Sequence, residues 1–209
     1  LTLSFTSVVA VTERMRGHRD FSTSVVSSPP SRWPGLSTRI CNAADIGLQM
    51  GMLLPFKTVE EHGKTLNLEG CAQLDLSYTP IGIEGALALS HALKISTTWR
   101  KNLTHLNLTY SAIGWGHMHL LSQLLETRQL RSLDLSGNWL GDESIVRIFR
   151  LMRKAKFLQV LRLRWNGITE RYAAKIATAS RSCKSLFELD LGGNWLKSTG
   201  ATRLSRGVN

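Results

Sequence analysis

The chain has 209 residues, 43% of them hydrophobic and 20% charged, which suits one packed domain with an extension and excludes a wholly disordered polypeptide. No run approaches the roughly 18 apolar residues of a membrane-spanning helix; the longest candidates, Leu1–Val11 and Ile46–Phe56, are interrupted by Ser, Thr, Gly or Gln. A net charge of +11 points toward contact with something anionic.

Residues 1–40 are rich in Ser, Thr and Val and carry Arg14, Arg16, Arg19, Arg32 and Arg39 against only Glu13 and Asp20. Arg-rich, Ser-rich and acid-poor is the composition of a mitochondrial targeting region, and Arg19-Asp-Phe21-Ser22 resembles a matrix-processing site. Pro29, Pro30 and Pro34 with Gly35 exclude a continuous helix across its end. Such a segment builds no core of its own, so it is expected to be an extended arm ordered by a partner. Residues 41–72 are expected to form an N-terminal cap, with a short helix over Ala43–Leu54 ended by Pro55. Thr65–Glu69 and Gln73–Ser77 then read as strands of a hairpin around Gly70-Cys71-Ala72, covering an exposed sheet edge.

Residues 73–209 are built on one frame. It is clearest in Leu130-Arg-Ser-Leu133-Asp-Leu135-Ser-Gly-Asn138-Trp-Leu140, followed by a stretch of helical spacing with Ile145, Ile148, Phe149 and Met152 on one face. The frame recurs at Gln73-Leu74-Asp-Leu76…Ile81, at Leu103…Leu106-Asn-Leu108…Ile113, at Leu158…Leu161-Arg-Leu163-Arg-Trp-Asn166-Gly-Ile168, and at Leu186…Leu189-Asp-Leu191-Gly-Gly-Asn194-Trp-Leu196. The steps between the last apolar positions are 32, 27, 28 and 28 residues. One such unit cannot bury its apolar face alone and must stack on copies of itself.

This pattern resembles the leucine-rich repeat, in particular the long ribonuclease-inhibitor-like class of about 28 residues with a helix in each repeat. The resemblance implies an α/β solenoid of five repeats, a curved parallel sheet with outer helices, plus the N-terminal arm. It implies a scaffold and names no partner. In the frame the leucines point inward, and a ninth-position Asn (Asn138, Asn166, Asn194) can bond backbone groups where the chain leaves the strand. Thr79 and Ser111 stand there in the first two repeats, which should be less regular. Asp142, Thr169 and Ser198 are the expected helix caps. The helix after the last frame, about Ser198–Arg206, leaves Leu189, Leu191 and Leu204 without a following repeat, so this edge is expected either to continue into further chain or to meet a partner.

Chemistry is hard to find. Gly63-Lys64-Thr65 is no phosphate loop, because Thr58 stands where a Gly is required and a strand rather than a helix follows. His117 and His119, two apart in an expected Trp115–Glu126 helix, sit on different faces, and no metal constellation or cofactor motif emerges. Cys41, Cys71 and Cys183 lie far apart and read as small buried residues of a reducing or thiol-neutral compartment. The sequons Asn102-Leu-Thr104 and Asn107-Leu-Thr109 fall in an expected strand and read as chance.

Two candidate surfaces remain. The fifth-position column Asp75, Asn107, Asp134, Arg162, Asp190 and the eighth-position aromatics Tyr78, Tyr110 and Trp165 outline a concave protein-binding face. Trp139 and Trp195 are expected to brace neighbouring turns. Between Ser144 and Phe187 there are 11 Lys and Arg against Glu170 alone, ten of the eleven net charges. Arg147, Arg150, Arg153, Lys154, Arg171, Lys175 and Arg181 are the candidate anion-binding residues on the outer helices, facing RNA, acidic lipid headgroups or an acidic protein. The reading is a non-catalytic subunit of a large mitochondrial assembly, a respiratory-chain or ATP-synthase complex, contacting other subunits through the arm and the C-terminal edge. The alternatives are an RNA-contacting mitochondrial ribosomal protein and a freestanding binding or GTPase-regulating module.

Overall fold

The computed structural model describes residues 40–43, 45, 70–96, 99–114, 116, 121–122, 125, 129–153 and 155–208. The expected arm, the Ala43–Leu54 helix, the strand at Thr65–Glu69, Gly63-Lys64-Thr65, most of the Trp115–Glu126 helix with His117 and His119, and Lys154 lie outside these residues or nearly so.

Six three-residue strands form one parallel sheet in sequence order: β1 (Ile40–Asn42), β2 (Gln73–Asp75), β3 (His105–Asn107), β4 (Ser132–Asp134), β5 (Val160–Arg162) and β6 (Glu188–Asp190). The described helices are α1 (Gly82–Ile95), the short α2 (Trp99–Asn102), α3 (Gly141–Met152), α4 (Ala173–Arg181) and α5 (Lys197–Val208). Strand, turn, helix and return make the repeats whose helices are described, and the result is a curved sheet backed by outer helices.

Period-two alternation explains the strands. From β2 to β6 the central Leu of each strand faces its counterpart, Leu74 to Leu106 to Leu133 to Leu161 to Leu189, and these side chains point inward. The helix face expected from the spacing is the buried one: Ile145, Ile148, Phe149 and Met152 of α3 all enter the core. Ile81, Ile113, Leu140, Ile168 and Leu196 close the core at each turn.

Three expectations are corrected. The N-terminal edge is not a hairpin: β2 pairs in parallel with β1 on one side and β3 on the other, so neither edge is left for an antiparallel neighbour. Cys41 on β1 occupies the register position of Leu74 and forms a disulfide with Cys71, both residues within the core. The pairing missed from spacing arises because a parallel crossover returns the chain to the adjacent strand 30 residues later. The helices also start without side-chain caps, at Gly141 and Ala173, with Leu140 and Tyr172 in the cap positions. Asp142 instead accepts from the Thr169 N–H at 2.8 Å and its hydroxyl at 2.7 Å, tying one repeat's turn to the next.

At the C-terminal end the outward residues of α5 are Lys197, Ser198, Thr199, Thr202, Arg203 and Ser205, all exposed and polar. Leu191 and Leu204 are buried, and Leu189 alone of the expected trio is half-buried.

Candidate functional site

The turns leaving the strands are held by an asparagine ladder. Asn138 Oδ1 accepts from the Ser111 N–H at 3.0 Å and the Ile113 N–H at 2.9 Å, while its Nδ2 donates to the carbonyls of Leu108, Leu135 and Ser136 at 2.7, 2.9 and 3.1 Å. Asn166 accepts from Asn138 N–H and Leu140 N–H, and Asn194 accepts from Asn166 N–H and Ile168 N–H. Each amide thus serves its own turn and the one before it. Ser111 does less: its hydroxyl donates at 2.6 Å to Leu76 O and, more weakly, to Thr109 O. Thr79 donates to Ser77 O at 3.3 Å, yet the first turn is as regular as the others, with Tyr78 at a φ of 55° and its N–H on Thr109 O at 2.7 Å.

The fifth-position column is a row across the sheet, in register from Asp75 through Asn107, Asp134 and Arg162 to Asp190. Four of its members hold the backbone two residues on: Asp75 accepts from Ser77 N–H, Asn107 from Thr109 N–H, Asp134 from Ser136 N–H and Asp190 from Gly192 N–H, at 2.8–3.0 Å. These are Asx turns, the reason acidic or amide side chains recur there. Arg162 has no acceptor to offer, and the Arg164 N–H turns to the Ser136 hydroxyl of the neighbouring repeat at 3.3 Å. Arg162 pairs instead with Glu188 at 3.0 Å, and Arg164 with Asp190 at 3.3 Å. The concave carboxylates and arginines are therefore largely committed within the chain. Among the described residues no group of His, Cys, Asp and Glu could hold a metal ion.

His105 lies beside this row. The Thr104 hydroxyl donates to Ala72 O at 2.9 Å, and His105 Nδ1 lies at hydrogen-bond distance, 2.8 Å, from the same hydroxyl oxygen. Burial, with the charges of Arg131 and Arg162, holds the imidazole pKa below its usual value.

The aromatic residues form a rim along the turns. Tyr78, Tyr110 and Trp165, at position eight, share left-handed φ of 52–55° with Trp139 at position ten. In repeats three to five, glycine occupies whichever of positions eight and ten lacks the aromatic: Gly137 with Trp139, Gly167 with Trp165, Gly193 with Trp195. Tyr110 lies over Gly137 and Trp165 over Gly193, so closely that a Cβ there would meet the rings at 2.4 and 2.5 Å. Tyr78 and Tyr110 stack at 5.2 Å between centroids. The bracing expected of Trp139 and Trp195 is absent; both indoles project into solvent, Trp139 with 72% of its surface open. What tie exists there is backbone, from the Trp195 N–H to Ile168 O at 2.8 Å. All five rings, Tyr78, Tyr110, Trp139, Trp165 and Trp195, are exposed on one rim.

The expected anion-binding residues are spread over the outer side. Arg147 and Arg150 are exposed on α3, Arg153 just beyond it, Arg171 in the turn before α4, and Lys175 and Arg181 on α4, which packs against α3. Lys175 Nζ sits 4.6 Å from the centre of the Tyr172 ring.

A leucine-rich repeat family model matches residues 73–90, 128–149 and 182–205. A solved structure of the tropomodulin C-terminal domain from Caenorhabditis elegans is similar at 15% identity with a TM-score of 0.53, over 73% of this chain and 92% of that one. Repeat frame, parallel sheet and outer helices together give this chain the architecture of a leucine-rich repeat solenoid.

Proposed function

We propose that the chain is a non-catalytic interaction subunit of a large mitochondrial assembly, a respiratory-chain or ATP-synthase complex, gripped along the aromatic rim and the adjoining concave sheet. One observation carries the interaction reading: each of the five repeats presents a Tyr or Trp ring to solvent on the same rim, and these residue types dominate protein interfaces. Support for the mitochondrial part is the Arg-rich, acid-poor composition of residues 1–40. The Cys41–Cys71 disulfide favours a compartment in which disulfides persist over a glutathione-reduced one. The 27- and 28-residue steps support the long, ribonuclease-inhibitor-like repeat class. The arm and the edge at β6 are further proposed contacts.

The test is sedimentation of the tagged full chain from fractionated cells. The expected result is a high-mass particle in the mitochondrial fraction, insensitive to nuclease, from which the joint Trp139→Ala, Trp165→Ala, Trp195→Ala variant is released. Migration as a free monomer overturns the assembly. Nuclease-sensitive sedimentation would move the chain to the ribosomal alternative.

A further inference from the structure

Most of the exposed large apolar side chains fall on two lines. One is the aromatic rim. On the opposite rim, where helices end and the chain returns to the strands, Ile95, Phe157 and Phe187 face solvent, Phe187 with 62% of its surface open. Ile95 ends α1, and the two phenylalanines precede β5 and β6. Around them Lys94, Lys101, Arg153, Lys156, Arg181 and Lys184 are all exposed. Residues 94–102, 153–158 and 181–187 contain no Asp or Glu. Lys94, Lys101, Arg153, Lys156 and Lys184 form no salt bridge with a described residue. The last two loops are neighbours: the Ser185 hydroxyl donates to Ala155 O at 3.2 Å, and the Phe187 N–H to Gln159 O at 3.0 Å.

The helix dipole favours cations at helix C-termini, and that accounts for Lys94, Arg153 and Arg181. It does not account for Lys156 and Lys184, which lie past the helices, or for apolar side chains held in water between them. Long cationic stems around projecting apolar side chains match the chemistry of a bilayer surface, with headgroup phosphates outside and acyl chains just below. Single-stranded nucleic acid fits less well. It wants a groove and consecutive stacking faces, whereas Phe157 and Phe187 lie on separate loops of a projecting rim and Ile95 has no ring to stack.

We propose that this rim docks on an anionic lipid bilayer, with Phe157, Phe187 and Ile95 dipping into the interface and the surrounding lysines and arginines on the headgroups. Docking this way turns the aromatic rim away from the membrane, toward a protein partner. The proposal stands independently of that partner, since it involves the other rim.

The experiment is flotation of the full chain with vesicles of phosphatidylcholine plus phosphatidylserine, against phosphatidylcholine alone, over a salt series. Binding is expected only to the anionic vesicles and to weaken with salt. Removing Lys156, Arg181 and Lys184 together as alanines should lower partitioning about a hundredfold, near fivefold per cation. Phe157→Ser with Phe187→Ser should lower it about tenfold at unchanged charge, and all five positions are exposed, so thermal melts should match the parent. Equal binding to neutral vesicles, or none to either, overturns the proposal. So does binding indifferent to the two phenylalanines, which would reduce the rim to charge attraction. An RNA oligonucleotide that displaces the chain from vesicles while binding equally well to the Phe variants would assign the rim to nucleic acid instead.

Discussion

Replacing Asn138 by Ala tests the load on the asparagine ladder. The side chain makes five bonds, two accepted from the N–H groups of Ser111 and Ile113 and three donated to carbonyls, and Asn138 is 3% exposed. Alanine leaves both N–H donors buried without that acceptor. At roughly 1–3 kcal/mol for each unsatisfied group, and with partial relaxation, the loss should be about 3 kcal/mol. For a chain of this size that lowers the melting temperature by about 6–12 °C. Ser111→Ala removes the main donor to Leu76 O and should cost about 1 kcal/mol. Asn138→Asp is the sharper variant. It keeps an acceptor for the two N–H groups but turns an oxygen toward three carbonyls, so it should be at least as damaging as Ala. Urea and thermal unfolding followed by circular dichroism measure all three. If Asn138→Ala costs less than Ser111→Ala, or if Asp is tolerated, the side chain is not what satisfies these turns.

The rim glycines offer a matched pair: Gly137→Ala meets the Tyr110 ring, whereas a Cβ at Gly167, at nearly the same φ, has open space. Both should carry roughly the 1–2 kcal/mol left-handed cost, and thermal melts should show Gly137→Ala the worse of the two. Ser136→Ala strands the Arg164 N–H; Arg162→Asp restores the Asx turn, so a double-mutant cycle should show the serine mattering less once Arg162→Asp is in place. His105 has a folded pKa below its unfolded value, so the unfolded chain binds more protons in the window just under about 6.5. Stability should therefore fall as pH drops through that window, and His105→Gln should flatten this part of a urea-midpoint against pH curve.

The repeats were legible because their signals are local and redundant. A strand's leucines alternate, the helix face of Ile145, Ile148, Phe149 and Met152 has its own period, and Asn marks the turn in the last three repeats. What was not legible depends on register between repeats. Cys41 meets Cys71 only because β1 lies beside β2, and nothing in three scattered cysteines announces that neighbour. Asp142 had the right identity for a helix cap, yet it falls inside the first turn of α3, where the Thr169 turn packed beside it offers two donors and takes the carboxylate. The acids of the fifth column read as a mildly acidic binding face; the turn two residues later uses them first. One signal could have exposed the aromatic rim earlier. Gly and an aromatic exchange places between positions eight and ten from Gly137-Asn-Trp139 to Trp165-Asn-Gly167 to Gly193-Asn-Trp195, which keeps one ring per turn.

That exchange bears on why the rings are there at all. Tyr78, Tyr110, Trp139 and Trp165 hold φ values glycine adopts freely, at roughly 1–2 kcal/mol each for a residue with a Cβ. Tyr110 and Trp165 recover part of this by covering Gly137 and Gly193. Trp139 recovers little, with 72% of its surface in water. A strained, exposed indole is what the proposed interface calls for. Trp139→Gly should relieve the left-handed strain, lose little burial and add back some unfolded-state entropy, for a net stabilisation of about 0.5 kcal/mol. The same change should weaken incorporation into the partner complex, measured by the fraction co-sedimenting. Stability and binding moving in opposite directions is the signature of an interface residue. Destabilisation above about 1 kcal/mol would instead return Trp139 to the structural role of bracing its turn, and would remove the central ring from the proposed interface.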